Sequence, residues 1–206
     1  MNKTITAPRT ALALALLAAG LAGCGTTSPS TDFTLSSPDL RDGRFDNKFV
    51  LNGFGCKGEN VSPALFWRNA PAGTRSFALQ VYDPDAPTGS GFWHWAVYNI
   101  PPTVVTLSQG TGNRAERLPA GAFGGNTDFM DTGTTGGNGN YGGPCPPEGD
   151  RPHRYVFTIY ALSVDRIDAA AGVPRTGSAA LYGFVLNKGL GAAVLGKASF
   201  TATYGR

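Results

Sequence analysis

The sequence predicts an all-β fold. Glycine and proline are abundant, at 29 and 15 residues, charged residues are only 15% of the chain, and four segments alternate their side chains with a period of two. Many turns and few charged helical faces suit strands joined by loops. Hydrophobic residues are 41% of 206, enough for a core, and the length fits one domain once an exported N-terminus is set aside.

The strands follow in chain order. Phe77, Leu79 and Val81 alternate with Ser76, Ala78, Gln80 and Tyr82. Trp95 to Ile100 is a β-prone run that stops at Pro101-Pro102. In a third run Tyr155, Phe157, Ile159 and Ala161 share one face and Val156, Thr158, Tyr160 and Leu162 the other, so it belongs in a central position. The fourth, Ala198, Phe200, Ala202 and Tyr204 against Lys197, Ser199, Thr201 and Thr203, is apolar on one side only and half-buried. One stretch reads as helix, Ser178 to about Leu195, with Leu181, Val185 and Leu190 on one side. Gly183, Gly189 and Gly191 each weaken it by about 1 kcal/mol relative to Ala, so it needs tertiary packing. Gly121 to Gly149 holds ten glycines and few large apolar side chains and reads as a loop unable to bury itself. There are no internal repeats and no second domain boundary.

The N-terminus reads as an export signal. Met1 to Thr10 carries two positive charges and no acid, and Ala11 to Gly23 is apolar but too short for a stable membrane-spanning helix. Leu21-Ala22-Gly23-Cys24 looks like a bacterial lipobox, which makes Cys24 the lipidated residue at the end of a signal spanning residues 1–24. Residues 25–32, GTTSPSTD, form a polar tether, and residues 33–206 form the domain. Acyl chains on Cys24 would hold that domain at the cell envelope while it stays in water. The formal charge is +3, but losing Lys3 and Arg9 from the 17 basic residues leaves 15 against 14 acidic ones. A near-neutral domain with no basic patch excludes nucleic acid as a partner.

In an oxidising compartment the remaining cysteines, Cys56 and Cys145, form an even pair, each in a Gly- and Pro-rich loop, and a disulfide between them is expected. Two free thiols, or a metal pair without CxxC spacing, are the weaker alternatives.

The chain has only two histidines, each beside a turn-rich loop. His94 follows Asp83-Pro84-Asp85-Ala86-Pro87, and His153 follows Gly142-Gly143-Pro144-Cys145-Pro146-Pro147. Sites are often built where loops meet strand ends. These segments, with Asn60-Val61-Ser62-Pro63-Ala64-Leu65-Phe66-Trp67, His94-Trp95-Ala96-Val97-Tyr98-Asn99-Ile100-Pro101 and Pro152-His153-Arg154-Tyr155, resemble the phosphatidylethanolamine-binding proteins, also called the Raf kinase inhibitor-like family. Four motifs in the family's order carry the resemblance, which runs from about Phe33 to Arg206 and is nearest the bacterial branch.

The resemblance implies an antiparallel β-sandwich, a large sheet packed on a smaller one, with short peripheral helices. It implies a pocket for phosphate- or carboxylate-bearing groups, including the phosphoethanolamine headgroup, with ligand residues at Asp83, His94, Gly143, Pro144, His153 and Tyr155. It implies no metal and no cofactor. The chemistry stands beside the name. Imidazole offers one N–H donor when neutral and two when charged, and its ordinary pKa near 6.5 lets a bound anion draw it into the charged form. Asp83 can fix an imidazole tautomer, and glycine admits close backbone approach. Trp93 is a candidate aromatic wall for an ammonium group. Asp85 reads equally as a ligand contact or as a turn residue capping its own backbone. Arg154 reads as a salt-bridge partner on the far face of its strand, and Trp67 and Trp95 as core.

Two departures from the family stand out. Residues 130–140, MDTGTTGGNGN, are inserted before the anion loop, and Phe184 replaces a histidine of the C-terminal helix, where it would make the pocket wall more apolar. Three functions compete. The first is binding of a small anion or phospholipid headgroup at the envelope. The second is inhibition of a protein target, a protease or kinase, through the pocket rim. The third is catalysis, for which no Gly-x-Ser-x-Gly elbow, phosphate loop or dinucleotide fingerprint exists. The reading is a binding protein, not an enzyme.

Overall fold

The computed structural model describes Met1, residues 32–129 and residues 132–206. The export signal beyond Met1, Cys24 and most of the tether lie outside the described residues. The chain divides into two units, 1–30 and 31–206. No described helix is long and apolar enough to cross a membrane.

Among the described residues of the second unit, ten strands form three antiparallel sheets. The small sheet joins β1 (Thr34–Ser36), β4 (Leu65–Arg68) and β7 (Thr106–Leu107) in the order β1-β4-β7. The large sheet joins β5 (Ser76–Asp83), β6 (Phe92–Ile100), β8 (Phe123–Gly124), β9 (His153–Leu162) and β10 (Val194–Tyr204) in the order β10-β9-β5-β6-β8. A two-stranded hairpin, β2 (Asn52–Gly53) and β3 (Cys56–Lys57), stands apart. The fold is the antiparallel β-sandwich expected, and β9, apolar on both faces, is paired on both sides.

Period-2 alternation sends neighbouring side chains to two cores. Phe77, Leu79 and Val81 of β5 and Phe157 and Ile159 of β9 pack against Leu35, Leu65, Trp67 and Leu107 of the small sheet. Trp67 lies edge-on to Phe77, with ring centroids 5.4 Å apart. The opposite face carries Ala78, Ala96, Tyr98, Tyr160 and Leu162. Two short helices cover it: α1 (Ile167–Ala171) brings Ile167, and α2 (Ala179–Phe184) brings Ala179 and Tyr182, whose ring stacks on Tyr98 at 4.2 Å. Trp67 and Trp95 are both fully buried.

Several sequence expectations change here. The helical segment is shorter and less regular than Ser178 to Leu195: α2 passes into a π-helical turn at Val185–Gly189, and Val194 already begins β10. Its buried face is Ala179, Tyr182, Gly183, Val185 and Leu186, whereas Leu181 and Phe184 point to solvent. Of the predicted Leu181–Val185–Leu190 line, Val185 is buried and Leu190 packs partly buried against the same core, and Leu181 alone faces out. α1 and two 3-10 turns at Thr111–Asn113 and Ala115–Arg117 have too few residues to show a period. The Gly121–Gly149 segment contains strand β8 and is packed: Phe129, Tyr141 and Asn140 are buried. The insertion lies against the hairpin, because a Cβ on Gly53 would fall 2.3 Å from Thr134 Cγ2.

Cys56 and Cys145 are disulfide-bonded, with Cα atoms 6.0 Å apart across 89 residues of sequence. The bond joins the β2–β3 hairpin to the loop before β9. Replacing both cysteines by alanine is expected to lower unfolding stability by about 2–4 kcal/mol, read from denaturant midpoints. A loss under about 0.5 kcal/mol would show that closing this loop hardly restricts the unfolded chain.

Candidate functional site

The large sheet places both histidines at one end. β5 runs into Asp83, β6 begins at Phe92 and β9 begins at His153. The β5–β6 register pairs Tyr82 with Trp93 and Val81 with Trp95, which leaves His94 as an extra residue in a bulge. Bulges re-aim side chains and recur beside functional sites. This one lets His94 and Trp95 both face the inter-sheet side, although they are consecutive.

The His94 ring is held by the loop that follows the insertion. Its Nδ1–H donates to the Gly142 carbonyl at 2.9 Å, and the Gly142 N–H donates to the His94 carbonyl at 3.0 Å. Glycine is required at 142, because a Cβ would sit 2.2 Å from Phe129 Cε2. His94 is buried, and Tyr155, Phe92 and Phe129 surround its ring at centroid distances of 5.0, 5.1 and 5.4 Å. Burial lowers its pKa, opposed by the Gly142 carbonyl, the Asp83 and Asp128 charges and the Gly143 backbone. The neutral ring thus has its proton on Nδ1 and a lone pair on Nε2.

The sign of the pH effect follows. An unfolded histidine takes up its proton near pH 6.5, whereas folded His94 resists it. The unfolded chain then binds more protons, and stability falls as pH drops below about 6.5.

His153 is fixed by a carboxylate. Its Nδ1–H donates to Asp83 Oδ2 at 2.8 Å, while Nε2 lies 3.4 Å from Asp150 Oδ2. Asp83 is buried, and its Oδ1 accepts the N–H groups of Asp85 and Ala86 at 2.8 and 3.1 Å. Both oxygens of Asp83 are therefore engaged, and the residue acts as an anchor for the His153 tautomer. Asp85 does not cap its own backbone. Its buried carboxylate accepts from Arg154 Nε at 2.8 Å and Nη2 at 2.9 Å, and from Arg151 at 2.8 Å. The Arg154 hydrogen bonds hold that carboxyl well below the usual range.

Asp83, His94, His153 and Tyr155 line one cavity of about 150 Å³, the scale that admits a single benzene-sized molecule. Tyr155, one of these lining residues, has a buried Oη without a hydrogen-bond partner. Among the described residues Trp67 Nε1, Trp95 Nε1 and Gln80 Oε1 share that condition, and none of them lines the cavity. Burial pushes the Tyr155 hydroxyl far above its ordinary pKa, so it stays a donor.

Gly143 and Pro144 are absent from the cavity lining, although the Gly143 backbone lies close enough to His94 to act on its ring. The Gly143 N–H donates to Asn60 Oδ1 at 2.8 Å, and a Cβ there would lie 2.1 Å from the Phe49 carbonyl oxygen. Gly143 permits the loop to lie on residues 49–51, and the Pro144 carbonyl accepts from Leu51 N–H at 3.2 Å. Their neighbours Cys145, Pro146 and Pro147 form the wall instead. Trp93 also points away: it faces Tyr82 on the helix side, with centroids 4.5 Å apart. The aromatic wall comes from Phe54, Phe92 and Phe129. Phe92 was legible, since it lies two residues before His94 once the strand is started early enough. Phe184 is exposed and absent from the lining. Among the described residues no group of three His, Cys, Asp or Glu side chains is arranged to hold a metal.

Residues 41–205 match the family described as phosphatidylethanolamine-binding protein. The chain belongs to that family. YbcL of Escherichia coli (strain K12) is 46% identical over 157 residues, 75% of this chain and 80% of YbcL. The crystal structure of E. coli YbcL, described as a new member of the mammalian PEBP family, superposes with a TM-score of 0.73 at 42% identity, covering 84% of this chain and 98% of that one. LppC of Mycobacterium tuberculosis, a protein named as a lipoprotein, is 38% identical over 141 residues, 68% of this chain and 60% of LppC. In this phosphatidylethanolamine-binding family member the unpartnered hydroxyl yields a test. Tyr155→Phe is expected to raise stability by about 1 kcal/mol, since an unsatisfied buried polar atom is removed, and to weaken anion binding. Thermal unfolding and a phosphate titration read the two effects, and a drop in stability would show that the hydroxyl has a partner.

Proposed function

We propose that this protein binds a small phosphate- or carboxylate-bearing anion in the cavity between His94, His153 and Tyr155. The observation that supports this most is that Tyr155, whose buried hydroxyl has no hydrogen-bond partner, lines the same cavity as His94 and His153. A buried donor without an acceptor costs roughly 1–3 kcal/mol, and an anion in the cavity would remove that penalty. Asp83 keeps His153 oriented, so its carboxylate serves positioning and its charge is offset by the imidazole and two backbone N–H groups. The protein acts in this reading as a binder and not as a catalyst. The lipobox at Cys24 and the likeness to LppC support presentation of the domain at the cell envelope on a lipid anchor, facing a membrane whose headgroups carry the same anionic chemistry.

Binding draws on the proton balance of His94. Its Nδ1–H is committed to Gly142, so an anion at Nε2 needs a proton there. Sulfate keeps its charge between pH 5.5 and 8 and isolates this effect. Calorimetric titration is expected to show sulfate affinity rising toward lower pH, approaching tenfold per pH unit where His94 is neutral in the free protein. His94→Gln is expected to flatten that slope. Affinity independent of pH in the wild type, or no sulfate binding at any pH, contradicts the reading.

A further inference from the structure

The cavity has a polar end and an aromatic mouth, and one aromatic residue at that mouth stands largely in solvent. Phe54 is 56% exposed, while Phe92 and Phe129 behind it are half-buried and buried. A single exposed apolar side chain is ordinary on a protein surface. Phe54 differs in three ways. It sits at the tip of the β2–β3 hairpin with a φ of 51°, a left-handed conformation that a bulky residue rarely adopts. Its ring lies nearly parallel to Phe129, at 14° with centroids 6.1 Å apart, and Phe129 is edge-on to Phe92 at 4.8 Å. The tip is also fastened from both sides. Cys56 is bonded to Cys145 of the cavity wall, and Arg206 donates through Nη2 to the Phe54 carbonyl at 3.5 Å and through Nε to the Pro146 carbonyl at 2.7 Å. Strained backbone that the surroundings hold in place clusters at ligand-binding sites.

We propose that the cavity takes an anion attached to a planar apolar group, an aryl phosphate or aryl carboxylate, whose ring lies against Phe54 at the mouth while its charge reaches His94 and Tyr155. This rests on the anion-binding reading and names the class of ligand. The ring would extend the Phe54–Phe129–Phe92 series by one member, in the offset or edge-on geometries that aromatic pairs favour. A bare phosphate or a phosphoethanolamine headgroup would leave the Phe54 ring in water.

The test compares phenyl phosphate, butyl phosphate and inorganic phosphate by calorimetry at one pH, with the wild type and Phe54→Ala, and with circular dichroism to check each fold. In the wild type phenyl phosphate is expected to bind about five- to tenfold more tightly than either of the others, the range of one added aromatic contact. In Phe54→Ala that ratio is expected to fall to near one. Equal affinities for phenyl and inorganic phosphate in the wild type overturn the proposal while leaving the anion site standing. So does a phenyl preference that survives Phe54→Ala, or a butyl phosphate that binds as tightly as phenyl phosphate. Binding of none of the three overturns the anion reading itself, and the proposal with it.

Discussion

The site depends on the two-way pairing of His94 and Gly142. One hydrogen bond joins the backbones and the other runs from the imidazole Nδ1–H to the Gly142 carbonyl. Together they draw the loop after the insertion onto the end of β6, set the tautomer of a buried ring, and leave its other nitrogen as the one facing the cavity. Burial keeps that ring neutral. A neutral, fixed histidine beside an unpartnered tyrosine hydroxyl is poor ground for a closed hydrophobic core. It is good ground for a ligand that brings negative charge, because binding then supplies both the acceptor that Tyr155 lacks and the field that His94 needs to take up a proton.

Around that pair the fold repeats one device, a carboxylate or carbonyl that positions a cation or imidazole. Asp83 orients His153 and closes the turn through Asp85 and Ala86; Asp85 holds Arg154 and Arg151; the Phe54 and Pro146 carbonyls hold Arg206. The disulfide adds a covalent tie between the two loops that form the mouth. The cavity wall is thus assembled from segments distant in sequence, with rigid sheet behind them, which is the arrangement that preorganised sites need.

Much of the sheet was legible because β5 and β9 are long enough to display a period of two, and their alternation assigns Phe77, Leu79, Val81, Phe157 and Ile159 to one side. The small sheet was not, since strands of two to four residues carry no measurable period. The bulge at His94 was invisible for a different reason. Alternation puts His94 and Trp95 on opposite faces, and only the pairing with Val81 and Tyr82 reveals the extra residue. Asp83, His94, His153 and Tyr155 could be named from motif resemblance, and they do share a cavity. Gly143 and Pro144 could not be distinguished from their neighbours that way, because the contact that explains Gly143, the backbone of residues 49–51, comes from far away in the chain. Phe54 and Phe129 escaped for the same reason, since a single phenylalanine in a glycine-rich loop carries no sequence signal of a partner.

The most direct test of the account is the protonation state of the His94 ring, read by nitrogen-15 NMR at neutral pH with and without saturating sulfate. The account predicts a proton on Nδ1 alone in the free protein and protons on both nitrogens once sulfate is bound. A free protein whose His94 already carries both protons, or carries its single proton on Nε2, would contradict it, as would a ring that sulfate leaves unchanged.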